Sequence, residues 1–499
     1  PPDHRRRPDG ATRSAARPAD ASHPGAGSRR TGPGEGGEAR VGSSEPFAQW
    51  MTVPRRFPAT STVRAMIELA LAAVDAALAA GAAYADARVM IIRHESMEAR
   101  NRVVEDLTQA ENAGIGVRAL MGSSWGFQAT PTLSDAAARA AGAGATAVAR
   151  ASARVAGPPL RLSPAPVVVD SWSSTWREHP LDDVNLADKG DLLVAATGAA
   201  NDAGVPLAQA SYQAWDTEKW FASSEGSRID QRIVECGAVV DATAIGDGET
   251  QRRSYPGVRG QYGTQGWELV RGLDLVANAA VMADQAAALL AAPQCPEGLT
   301  TVILDSDQAA LQIHESVGHA VELDRILGWE AAFAGTSWLD PGQIGRLRFG
   351  SELMQITADA TLPGAMGSFG HDDEGIPAQR VDIVRDGRWV GVLSGRDSAP
   401  LVGLASGGMV RADGPARLPM VRMTNVGLLP GDSSLEEMIA GTDDGIYMQT
   451  NRSWSIDDKR LNFQFGCEIG WEIKDGALGR MLKNPTYTGI GPSFWASLD

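Results

Sequence analysis

Cysteine is nearly absent. Cys236, Cys295 and Cys467 are the only three among 499 residues, with no CxxC pair, which excludes a disulfide framework and a cysteine-built zinc module. Basic charge is also short: 45 Lys and Arg against 61 Asp and Glu leave a net charge of −16. Such an acid excess offers no footprint for a phosphate backbone, so direct nucleic-acid binding is not expected. No run of about 18 apolar residues occurs, so no membrane span is expected. Arg55-Arg56 before an alanine-rich run imitates a secretory signal, but Glu68 and Asp75 interrupt it. Ile67, Leu71, Val74 and Leu78 instead mark the stripe of an amphipathic helix. A reducing cytoplasm is the expected location. Apolar types at 43% supply material for sizeable cores and exclude wholesale disorder.

Residues 1–50 hold seven prolines, eight glycines and no apolar periodicity, so 1–58 reads as a disordered or non-native extension. Helical patterns are predicted at 61–80, 133–153, 184–203 and 274–291. Strands are predicted at 86–99, 103–112, 114–120, 167–172 and over much of 205–270. Pro293 and Pro296 punctuate a boundary. Beyond them a β-branched run at 300–304 leads into one helix, and after Asp324 the pattern is turns and short strands. The expected fold class is α+β: an N-terminal α+β domain over 59–293, then a β-rich domain over 294–499 that opens with a helix.

That helix carries the sharpest chemical feature, His314-Glu315-Ser316-Val317-Gly318-His319. Neutral imidazoles suit zinc, and an adjacent carboxylate can take a proton from a water at the ion. The familiar HExxH spacing puts two histidines four apart on one face. Here they are five apart, which separates the rings by about 140° around a regular helix. A single π-turn reduces the offset to about 50°, and Gly318 marks a place where distortion is cheap. Two helical histidines without a metal remain the other reading of the spacing alone.

The wider segment HESVGHAVELDRILG resembles the signature of the TldD/PmbA family of metallopeptidases, whose catalytic members carry HExxxH. Gly114-Ile115-Gly116-Val117-Arg118 with Trp125-Gly126-Phe127 is similar to the family's first-domain strand pair. Asp372-Asp373-Glu374-Gly375 with Pro377 and Arg380 is similar to its central loop. Pro419 with Arg422-Met423-Thr424-Asn425, and Glu468-Ile469-Gly470, resemble two further stretches. The resemblance runs from about residue 61 to the end.

The resemblance implies zinc bound by His314 and His319, with Glu315 as the catalytic general base. It implies hydrolysis of unfolded or unstructured peptides in an extended cleft. It also implies a PmbA-type, TldE-like partner subunit or a homo-oligomer, with this chain as the catalytic type. The family's third zinc ligand is a cysteine near the C-terminus, and no Cys-Gly-Lys-like segment occurs here. A chain truncated at its C-terminus and weak as an enzyme is the resulting expectation. The alternative is a non-catalytic peptide-binding or maturation partner.

Other acidic and histidine clusters carry blander readings. His94-Glu95 reads as part of a surface strand. His371-Asp372-Asp373-Glu374 reads either as a turn or cleft loop or as a cation site built on hard oxygens. Glu322 or Asp324 is placed to orient an imidazole from behind. Cys467 reads as a packing thiol, and Trp215, Trp220, Trp454 and Trp471 as packing residues.

Overall fold

The computed structural model describes residues 60–499 apart from Ala156 and Pro158; the expectation for 1–58 lies outside the described residues. Helix α1 (Thr60–Ala79) leads into a meander of β1 (Tyr84–Arg100), β2 (Val103–Met121) and β3 (Ser124–Thr130). β2 is one continuous strand, not the two pieces expected, because its pairing with β1 runs from Val103 to Leu120 with one register shift. Helix α2 (Asp135–Ser152) starts at Ser134, whose side chain accepts from the Ala137 N–H.

The chain continues through β4 (Val169–Ser173), α3 (Leu186–Asp202), β5 (Leu207–Ser223) and β6 (Arg228–Gly246). Then come β7 (Glu249–Tyr255), β8 (Gln261–Gly263), α4 (Trp267–Gly272) and α5 (Leu275–Ala291). The strands form one sheet in the order β3-β2-β1-β5-β6-β4, with β7 and β8 also paired to β6. Helices α3 and α5 bury Leu193, Ala196, Ala279 and Ala283 against Tyr212, Cys236 and Val240 of the sheet.

The apolar stripe expected on α1 holds at Val74, which is buried, and in part at Ile67 and Leu71, but its centre shifts toward the small residues. Leu78 is exposed, whereas Ala70, Ala73 and Ala77 are fully buried. The cause is close helix packing: a Cβ on Gly142 of α2 would sit 2.1 Å from the Ala73 carbonyl oxygen. Thr146 Oγ1 donates to the Ala77 carbonyl at 3.1 Å in the same contact. Only small residues fit between backbones so near each other.

The second half begins with β9 (Thr301–Leu304) and α6 (Ser306–Ile313), followed by a widened turn and α7 (Leu323–Ile326). Next come β10 (Ile356–Asp359), β11 (Arg380–Arg385), β12 (Arg388–Trp389), β13 (Val410–Arg411), β14 (Met420–Val421) and β15 (Asn425–Leu428). Helix α8 (Leu435–Ala440) precedes β16 (Asp444–Ile456), β17 (Asn462–Lys474), β18 (Ala477–Lys483), β19 (Thr486–Ile490) and α9 (Gly491–Ala496). One sheet orders as β18-β17-β16-β9 with β19 on β17, and a second as β12-β11-β10-β15. The α+β expectation holds. The expectation of short strands does not extend to β16 and β17, at 13 residues each.

A loop of the second half is plugged into the first sheet. Asp373 is buried between Arg88 Nη1 at 2.8 Å and Lys219 Nζ at 2.5 Å. Glu374 meets Arg118 Nη1 at 3.2 Å, and Asp372 accepts the backbone N–H groups of Glu374, Ile376 and Val410. The cation-site reading of 371–374 is therefore replaced by an internal one. Amides and cations of the chain itself take these oxygens. Glu95 is likewise buried, paired to Lys189 at 2.5 Å, which corrects its reading as a surface residue.

Burial alone would raise the Asp373 carboxyl, but Lys219 and then Arg88 outweigh it and hold it well below the usual carboxylate range. A depressed folded-state value contributes stability above the unfolded value, and that contribution is lost as pH falls through the folded one. Asp373→Asn is expected to destabilise the fold by about 3–5 kcal/mol at pH 7, because it strands two buried cations. The gap to wild type should narrow on acidification. Denaturant unfolding checks this, and a difference under about 1 kcal/mol at pH 7 would refute it.

Candidate metal centre

Strand β9 ends at Leu304, and the next residue, Asp305, caps α6 with a carboxylate that accepts the Gln308 N–H at 2.9 Å. The helix then carries one turn of π geometry at His314–Gly318, closed by the His319 N–H on the His314 carbonyl at 3.0 Å. The extra residue brings the two rings to one side. Their centroids lie 4.6 Å apart at 80°. One donor atom from each of His314, Glu315 and His319 lies within 4.8 Å of the others. The five-residue spacing is thus compatible with a single ion.

The back of the helix shows why the turn stays widened. Ser316 Oγ donates to the Gln312 carbonyl at 2.6 Å and accepts from Gln312 Nε2 at 3.1 Å and Trp495 Nε1 at 2.9 Å. Tyr487 then links Gln312 and Gln308, at 3.0 and 2.8 Å. One hydroxyl donor and two lone pairs are all used, inside the core. Gly318 has a second purpose besides easing distortion: a Cβ there would meet Met423 Sδ at 2.1 Å.

Each ring is prepared for a cation. His319 Nδ1 lies 2.9 Å from Glu322 Oε2, which favours the tautomer that donates Nδ1–H to the carboxylate and keeps the Nε2 lone pair. Glu322, not Asp324, is therefore the orienting acid. It is fully buried and also bonds Arg325, while its Oε1 has no hydrogen-bond partner among the described residues. His314 has an edge open to solvent. Poor hydration around the rest of the ring, then the charges of His319, Arg460, Arg259 and Arg325, push its pKa down to about 4. It is neutral at pH 7 and can donate a lone pair.

Glu315 is buried and its Oε2 meets Arg460 Nη1 at 3.0 Å. No sequence signal announced Arg460, which sits in the β16–β17 turn far along the chain. Behind Glu322 a further acid, Glu330, pairs with Arg422 at 2.7 Å. Asp324 is pushed up to about 8, first by burial and then by Glu330 beside it. Cys467 lies in an apolar cluster with Met448, Phe465 and Leu482. Burial, then Asp305 and Asp307, push its thiol up, in keeping with a packing role. A second grouping of donors, His179, Asp182 and Asp216, is already claimed: Arg93 binds both acids and Arg232 binds Asp216.

An α+β frame that brings HExxxH donors to one point defines a metallopeptidase-type protein. The family models agree. PmbA/TldA metallopeptidase domain 1 matches residues 85–153, the central domain 179–292 and the C-terminal domain 297–499. The chain belongs to the PmbA/TldD metallopeptidase family. A metalloprotease of Methanocaldococcus jannaschii is 29% identical over 407 residues, 81% of this chain and 86% of that one. A zinc metalloprotease TldD homolog of Saccharolobus solfataricus is 25% identical over 184 residues, 37% of this chain and 39% of that one. TldE from Thermococcus kodakarensis shares the fold, with a TM-score of 0.64 at 15% identity over 87% of this chain and 93% of that one.

Gly318→Ala is expected to force Met423 aside and destabilise the chain by about 1–3 kcal/mol, as overpacking does. Met423→Ala in the same chain should recover part of that loss. A double-mutant cycle in thermal unfolding that finds the two substitutions additive would show that the contact is not the reason for glycine.

Proposed function

We propose that this chain is a zinc-dependent peptidase acting on unfolded or unstructured peptides, with Glu315 as general base and His314 and His319 as metal ligands. The observation that carries the reading is the widened turn, which sets two imidazoles, that of His314 neutral at pH 7, and a carboxylate around one point. The donor set suits zinc: two nitrogen donors, one of them with its tautomer fixed from behind. A bound zinc ion would polarise the scissile carbonyl and lower the pKa of a water. Glu315 would accept the proton of that water at its carboxylate and return it to the leaving amine. Arg460 would hold the carboxylate toward the rings. Unfolded peptides suit such a centre because an extended backbone can be held by main-chain hydrogen bonds. The TldE likeness and the family suit assembly with a PmbA-type partner in the cytoplasm, this chain supplying the HExxxH centre.

The rival reading is a peptide-binding or maturation subunit without turnover. It draws on the placement of Cys467 in an apolar cluster, which leaves two imidazoles as the evident protein ligands. Elemental analysis together with hydrolysis of an unfolded casein separates the two. Zinc near one per chain with turnover supports the peptidase, and peptide binding without either supports the rival.

Glu315→Gln is expected to lower hydrolysis by about 10²–10⁴-fold while leaving zinc content near wild type. Unchanged turnover would remove Glu315 from the role. Glu322→Gln should instead weaken zinc binding by about 10–100-fold, because the His319 tautomer loses its support. A competition titration against a zinc chelator reads this directly, and wild-type affinity would contradict it.

A further inference from the structure

Two guanidiniums at the centre, of Arg460 and Arg325, are already committed. Arg460 binds Glu315 and the Ala334 carbonyl. Arg325 binds Glu322 and the same carbonyl. Arg259 differs. It is exposed, it makes no ion pair with any described residue, and its guanidinium lies 4.9 Å from the ring centre of Trp454. Trp454 is itself 43% exposed. A stacked guanidinium keeps its planar fork free for an anion, and stacking reduces the freedom lost on binding.

The backbone that presents Arg259 is tied to the motif helix. Between β7 and β8 the chain makes a tight turn, with the Gly260 N–H on the Gly257 carbonyl at 3.0 Å. Gly260 has φ +81°, and a Cβ there would lie 2.4 Å from the Ala238 carbonyl oxygen. A Cβ on Gly257 would lie 2.6 Å from Asp307 Oδ1. Asp307 also accepts the Asn451 N–H from β16 at 3.0 Å. Asp307 stands in the first turn of α6, the helix that runs into His314. The turn of the first half, the strand bearing Trp454 and the metal-facing helix thus meet at one carboxylate.

We propose that Arg259, stacked on Trp454, is a carboxylate-binding subsite beside the metal centre. It would take either the C-terminal carboxylate or an acidic side chain of a bound peptide. The proposal deepens the peptidase reading and rests on it for the presence of a peptide. Recognition by a free, planar, doubly donating cation is what a carboxylate requires.

The test is equilibrium binding, so it does not depend on turnover. Short dye-labelled alanine peptides are titrated onto the full chain by fluorescence anisotropy, in three forms. One has a free C-terminus, one is C-amidated, and one is C-amidated with a central glutamate and compared with its glutamine match. The wild type is expected to prefer one carboxylate form over its neutral match by about fivefold, and the preferred form identifies the source. Arg259→Ala should erase that preference while binding the amidated neutral peptide as before; Arg259→Lys should retain part of it. Added salt should weaken the preference. Equal binding of all forms by the wild type, no binding of any form, or a preference that survives Arg259→Ala would each overturn the proposal. Hydrolysis of casein run alongside reports separately on the peptidase reading.

Discussion

One extra residue in one helical turn is the constraint on which the centre depends. With regular α geometry the rings of His314 and His319 would diverge. With π geometry they converge, and Glu315 comes with them. A π-turn is not self-sustaining, since it opens the helix and loosens its ladder. Here the compensation comes from the far end of the chain. Tyr487 and Trp495 supply the polar atoms that complete the Gln308, Gln312 and Ser316 network. The strand and helix that bring them, β19 and α9, therefore shape the centre without approaching it as ligands.

Charge inside the molecule follows a second logic. Asp373, Glu374 and Glu468 are buried acids of the second half that meet Arg88, Lys219, Arg118 and Arg253 of the first. Buried pairs add little net stability relative to well-packed apolar residues, but a wrong register would leave each charge unpaired. They thus favour a single seating of the acidic loop and of β17 on the first sheet. The same seating brings the Arg259 turn against Asp307 and α6.

The sequence made the longer helices, β1 and the HExxxH turn legible, because each is encoded locally, whereas β2 read as two pieces and α4, α8 and α9 were not expected. Apolar periodicity marks α2, α3 and α5, and a five-residue gap between histidines admits few geometries. Long-range partners were not legible. Glu95 looked like surface because alternation in a strand does not reveal that Lys189 on α3 will meet it. The loop at 372–374 looked like a cation site because its oxygens were visible while the amides and cations that take them were not. Arg460 had no signature at all: it reaches Glu315 only because β16 and β17 fold back beside the helix. The choice of Glu322 over Asp324 as the acid behind His319 also needed the structure, since both follow the motif within five residues.

Arg460 bears on how one carboxylate can serve beside two imidazoles. HExxxH places Glu315 directly after His314, where, in the proposed reading, it could itself occupy the metal. A guanidinium on Oε2 sets a preference between those roles. Binding a cation through that oxygen would bring Arg460 toward a second positive charge, an arrangement unfavourable in a partly desolvated site. Oε1 receives no hydrogen bond from any described residue, so it is the oxygen left to meet a water. In the proposed reading, Arg460 keeps Oε2 engaged and leaves Oε1 to face a water. The centre thus combines two converging imidazoles, a carboxylate held by a cation from outside, and an acid behind His319.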